Sequence, residues 1–144
     1  MTHEQKGNYR GKHPAGEQKS PELVRAVRSR ADGEEISCAA AFSIARDLGV
    51  DPGEVGKTID LEEVNIVRCQ LGLFGYGDRR RIVEPAKTVS PDLERALRDG
   101  LDAGKLPCAA AWKIADRLGI EKMAVSRACE ALGLKISACQ LGAF

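Results

Sequence analysis

The chain predicts a mainly-α protein built from two tandem three-helix repeats with short closing strands. Three observations carry this. Residues 20–74 lie on residues 90–144 at a constant offset of 70 with no gap, and 22 of the 55 aligned positions are identical. Within each half, apolar residues recur at helical spacing between residues that start and stop helices. Each half then ends in a short stretch of extended character. Identity of that extent makes the halves one fold used twice. The organisation is a tail at 1–19, a first repeat at 20–74, a linker at 75–89 and a second repeat at 90–144.

The elements follow in order. Residues 1–19 hold almost no large apolar side chain and are expected to be disordered. Helix one starts at Ser20-Pro21 and again at Ser90-Pro91, an N-cap serine followed by proline at the first helical position. Leu23, Ala26 and Val27 share one face, matched by Leu93, Ala96 and Leu97. A short polar link leads to helix two, Cys38 to Leu48 and Cys108 to Leu118, ended by Gly49 and Gly119. Helix three runs from Asp51-Pro52 to about Glu62 in the first copy, and from Glu121 to Leu132 in the second, stopped by Gly133. The closing segments are Val64 to Leu71 and Leu134 to Leu141. In the first copy Gly75-Tyr76-Gly77-Asp78 is expected to turn the chain into Arg80 to Val83 as a hairpin. Phe42 and Trp112 are expected to anchor the core beside helix one. Units of about 55 residues are marginal alone, so the halves should pack together as an internal pseudo-dimer, or on a second chain as a homo-oligomer.

The segment Lys113 to Leu132 closely resembles the helix-turn-helix of bacterial transcription regulators. Ala115 is small where the two helices touch, and Gly119 tolerates the positive φ of the turn. Ile120 and Val125 plug the angle between them, while Ile114 and Leu118 face the rest of the core. The first repeat keeps Ile44, Ala45, Leu48, Gly49, Val50 and Val55 at the matching places. Three helices followed by a strand or hairpin are similar to the winged variant. The resemblance implies a DNA-binding transcriptional regulator with double-stranded DNA as partner. In such proteins the exposed start of helix three enters the major groove. That face carries Lys122, Met123, Ser126 and Arg127 in the second repeat, and Pro52, Gly53, Gly56 and Lys57 in the first. The first repeat has net charge −4, the second +1, and the tail and linker +2 each. The second repeat is therefore the expected reader, with Arg79, Arg80 and Arg81 touching phosphate from a wing.

Other classes are narrowed by composition. No apolar run reaches the roughly 20 residues of a membrane span, and the polar start lacks the apolar core of a signal peptide, which gives the expectation of a cytoplasmic protein. No catalytic constellation stands out, and no cofactor is implied, so an enzyme is not expected. The five cysteines include no CxxC, and the two histidines, His3 and His13, both lie in the tail. Reduced thiols serving as small buried apolar side chains are the first expectation for Cys38, Cys69, Cys108 and Cys139, with no metal bound. These four recur as matched pairs, so they are also the candidate ligands of a thiol-based metal or redox sensor. Cys129 aligns with Ile59 and reads as core. The remaining alternative is an adaptor whose helices bind protein rather than DNA.

Overall fold

The computed structural model describes Tyr9, His13 and residues 20–144. The first repeat is α1 (Pro21–Arg30), β1 (Glu35–Ser37), α2 (Cys38–Leu48), α3 (Pro52–Leu61) and β2 (Asn65–Val67). The second repeats that order as α4 (Pro91–Asp99), β3 (Leu106–Pro107), α5 (Cys108–Leu118), α6 (Lys122–Leu132) and β4 (Ile136–Ser137). The fold is mainly helical. The expectation of a disordered tail lies outside the described residues except at Tyr9 and His13.

Local chemistry sets the helix ends. Ser20 and Ser90 accept from the amides of Leu23 and Leu93 at 3.4 and 3.2 Å, ahead of Pro21 and Pro91. Ser37 caps α2 by accepting from the Ala40 amide at 3.1 Å. Pro107 replaces it before α5 and makes no side-chain cap. Asp51 holds the cap position before α3, also without a side-chain hydrogen bond. Gly49 and Gly119 stop α2 and α5 in the left-handed conformation at φ 64° and 66°, making the corners into α3 and α6. Val55 and Val125 are fully buried at those corners, and Ile44 and Ile114 lie in the core. Leu118 departs from expectation: it is 38% exposed rather than core-facing.

The closing strands also differ from the expected wing. β2 pairs with β1 in parallel, Ile36 beside Ile66, and β4 pairs with β3 in parallel, Leu106 beside Ile136. Parallel strands need a long crossover, and the α2–α3 pair supplies it. Ile36 and Ile66 are thereby fully buried. The link after helix one, expected only as a short polar link, supplies β1 and β3. Residues 80–83 form no strand. A single 3₁₀ turn at Gly77–Arg79 occupies the place of the expected hairpin.

The two repeats meet across an approximate two-fold axis. Phe42 stacks on Trp112 with ring centroids 4.2 Å apart, and Phe74 meets Phe144 edge-on at 6.0 Å. Each is a residue touching its own equivalent in the other copy, which a two-fold produces and a translation does not. The reciprocal pairs agree. Ser126 donates to the Leu71 carbonyl at 2.7 Å. Gly56, the equivalent of Ser126, packs so tightly on the Leu141 carbonyl that an added Cβ would lie 1.8 Å from its oxygen. Phe42 and Trp112 therefore serve the seam rather than the core beside helix one.

Candidate functional site

The residues expected to read DNA sit where this seam forms. Ser126 is 1% exposed and its hydroxyl is spent on Leu71 and, more weakly, on the Lys122 carbonyl at 3.3 Å. The Lys122 ammonium lies over the Trp112 ring, 4.5 Å from its centroid. The Met123 methyl covers Gly72, where an added Cβ would come within 3.0 Å of it. Of the four, only Arg127 is exposed. Its backbone carbonyl accepts from the Ala86 amide at 3.0 Å, which lays the linker along α6. Arg79, Arg80 and Arg81 are exposed. Arg81 pairs with Glu130 of α6, and Arg79 stands 3.8 Å from Glu84. Met123 and Ser126 on α6 and Gly56 on α3 are turned toward the opposite repeat, while Lys122 covers Trp112 of its own repeat and Arg127 stays exposed. The physical reason is that Gly56 and Ser126 are small enough for the opposite repeat's loop backbone to approach.

What those loops bring to the seam is thiol. Cys38 and Cys108 open α2 and α5. Cys69 and Cys139 follow β2 and β4 at the head of the two Cys-Gln-Leu-Gly loops. Each loop closes on itself in the same way. The Cys69 amide donates to the Phe74 carbonyl at 3.2 Å and the Gly72 amide to the Cys69 carbonyl at 2.8 Å. The second copy gives 3.2 Å for Cys139 to Phe144 and 2.9 Å for Gly142 to Cys139. The Tyr76 hydroxyl adds a bond to the Cys69 carbonyl at 2.6 Å. The residue before each loop thiol is left-handed although it is not glycine: Arg68 at φ 53° and Ala138 at φ 52°. Such a conformation costs about 1–2 kcal/mol, and strain kept at matched positions marks a constrained site.

The sulfurs are supplied with donors. Gln70 Nε2 donates to Cys38 Sγ at 3.8 Å, and Gln140 Nε2 to Cys108 Sγ at 3.6 Å. Burial pushes the Cys38 thiol up to about 12, against the pull of the Gln70 backbone amide and with added repulsion from Cys69 and Cys139. Burial likewise pushes Cys69 up to about 11, opposed by the amides of Leu73 and Leu71, with Cys139 and Cys108 repelling. Cys108 is raised by burial, opposed by the Gln140 side chain and amide, and also feels Cys139. Within each repeat one glutamine links the loop to the helix-starting thiol, Gln70 beside Cys38 and Gln140 beside Cys108. Cys129 belongs to neither pair: burial and then Glu130 raise it to about 11, and it is 1% exposed, as expected of a core residue.

Among the described residues no three His, Cys, Asp or Glu side chains are grouped so as to hold a metal ion as they stand. No helix in the described residues is long and apolar enough to cross a membrane. The glutamines beside the thiols escaped the sequence reading, although Cys-Gln-Leu-Gly recurring unchanged in both copies was the available signal. The tail contacts escaped it too. Tyr9 is 3% exposed and its hydroxyl donates to Asn65 Oδ1 at 2.7 Å. His13 Nε2 lies 2.8 Å from Asp60 Oδ2. Comparisons with protein-family models, with curated proteins and with solved structures find no match for this chain.

Proposed function

We propose that this protein is a thiolate metal-binding module, with Cys38, Cys69, Cys108 and Cys139 as the ligands of one soft-metal centre between the repeats. The observation that carries the reading is the matched recurrence of four buried or half-buried thiols, two in each repeat, each pair served by a glutamine amide. The repeats have drifted apart at 33 of 55 positions, including the core site Ile59 against Cys129 and the seam site Phe42 against Trp112. Both cysteine pairs and both glutamines have stayed. Packing alone does not demand that, because other small apolar side chains fill a thiol's space. The raised pKa values of Cys38, Cys69 and Cys108 express the cost of a bare buried thiolate, and a bound cation removes that cost by deprotonating the ligand outright.

The test is the metal content of protein purified without air and without added metal. A thiophilic metal should be retained at one centre per chain. It should be lost in Cys69→Ser/Cys139→Ser and kept in Cys129→Ser. Protein that retains no metal, and takes up none of zinc, cobalt or iron, defeats the reading.

DNA binding is a second reading, favoured by the two helix–glycine–helix corners and by the exposed Arg79, Arg80 and Arg127. It is tested by titrating duplex DNA at several salt concentrations. Arg127→Ala should cost about 1–3 kcal/mol of specific binding if that side chain meets a base edge. A salt-independent background and an unaffected Arg127→Ala variant defeat it. An adaptor that docks on protein needs an exposed apolar patch beside helix three. Among the described residues the exposed large apolar side chain is Leu118, at the end of α5.

A further inference from the structure

Independently of the thiolate reading, we infer that the groove beside the end of α6 is a docking site for an extended peptide of a partner protein, one that carries an aromatic side chain followed by carboxylates.

The internal repeat gives this groove a counterpart with an occupant. In the first repeat the tail lies against the end of α3 and the start of β2. Tyr9 is buried there, its amide donating to Glu63 Oε2 at 3.1 Å and its hydroxyl to Asn65 Oδ1 at 2.7 Å. His13 meets Asp60 at 2.8 Å. At the offset of 70 these three partners become Gly133, Lys135 and Glu130. All three line a groove of about 530 Å³ in the second repeat. Burial follows the occupant. Asp60, Val64, Asn65 and Ile66 are buried, whereas Glu130 and Lys135 are exposed and Leu134 and Ile136 half-buried. The linker forms one wall of the groove and no more. It crosses α6 through the Arg81–Glu130 pair and the Ala86 amide on the Arg127 carbonyl.

The chemistry of the groove selects its occupant. Leu73, Leu134, Ile136 and Phe144 supply an apolar floor. These side chains are half-buried, which makes a groove rather than an exposed patch. An aromatic ring laid on them removes much apolar area from water, as Tyr9 does on the matching face. The rim has changed sign between the copies. The first seat holds Tyr9 with two acceptors, Glu63 and Asn65, and its occupant is a tail of net charge +2. In the second seat a glycine replaces one acceptor and a lysine the other, while Glu130 is paired with Arg81. A lysine ammonium donates and cannot accept, and a carboxylate is its strong partner. A second copy's basic tail would meet an added cation there and lose both acceptors.

The experiment titrates the full chain into a fluorescein-labelled synthetic peptide and reads fluorescence anisotropy. The peptide has the sequence of residues 7–13, blocked at both ends, with Arg10→Glu and Lys12→Glu. It should bind saturably and about tenfold more tightly than the unmodified sequence. Changing its tyrosine to alanine should weaken binding by about tenfold, as loss of a buried aromatic anchor does. Lys135→Glu alters an exposed residue and should leave circular dichroism unchanged while reversing the preference between the two peptides. An absence of saturable binding overturns the docking site. Binding that Lys135→Glu does not change lies elsewhere and overturns the groove. Binding indifferent to the tyrosine overturns the aromatic anchor. Binding of the unmodified sequence as tight as that of the acidic one assigns the groove to a second copy's tail and overturns the acidic partner.

Discussion

Gly56 and Ser126 are equivalent residues that meet opposite repeats, and each can be tested by one methyl group or one oxygen. A Cβ at Gly56 would collide with the backbone of Leu141, which cannot swing aside as a side chain can. Gly56→Ala should therefore cost about 3 kcal/mol, the upper part of the range for overpacking. Gly53→Ala, three residues earlier on the same helix, meets the Gln140 carbonyl only at 4.0 Å. It should be neutral or stabilise by up to about 1 kcal/mol, because alanine loses less backbone freedom in a helix. Urea unfolding of the two variants separates seam packing from helix propensity. Ser126→Ala should lose about 1 kcal/mol, as it strands the buried Leu71 carbonyl. The same variant should leave any duplex DNA binding unchanged, since the hydroxyl is turned away from solvent. That Ser126 belongs to helix three was legible in its spacing. Its facing was not, because the group it bonds lies 55 residues away in sequence and is a backbone carbonyl.

At the scale of elements, what was local was legible. α2 and α5 begin and end at the predicted residues, because a cap or proline opens each and a left-handed glycine closes it. The strands were not legible. Each has two or three residues and only one or two apolar side chains, too few for an alternating pattern. Their pairing depends on a partner about 30 residues away, beyond two helices. The expected hairpin failed for the same reason: β2 found a more buried partner in β1 than residues 80–83 could offer. The loops after β2 and β4 carry a prediction of their own. Ala138 is held left-handed at φ 52° immediately before Cys139. Ala138→Gly should relieve about 1–2 kcal/mol of that conformation against about 0.5–1 kcal/mol of added chain entropy. Thermal unfolding should show a variant slightly more stable than the parent. A loss of more than about 1 kcal/mol would mean that the methyl packs and the backbone is not strained.

At the scale of the molecule, the repeat and the charge difference were plain in the chain, while the axis relating the copies was not. An internal pseudo-dimer and a homo-oligomer demand the same apolar surface, and the sequence does not separate them; contacts such as Phe42 on Trp112 join the two copies within one chain. That contact gives a direct probe, since Trp112 is the one tryptophan. If the seam binds the halves into one cooperative unit, Trp112 fluorescence and helical circular dichroism should unfold in a single coincident transition. An earlier fluorescence transition would show the repeats parting before they melt. The cysteines were visible as matched pairs, yet each pair alone reads as core. Each repeat sets a glutamine of its loop beside its helix-starting thiol, Gln70 at Cys38 and Gln140 at Cys108. That all four thiols bind one metal is the claim of the thiolate proposal. The most direct measurement of that claim is X-ray absorption at the metal edge, on protein isolated without air. The account predicts a first shell made of sulfur alone at about 2.3 Å, altered when either pair, Cys38 with Cys108 or Cys69 with Cys139, is changed to serine. A shell dominated by nitrogen or oxygen, or one that either double substitution leaves untouched, would contradict it.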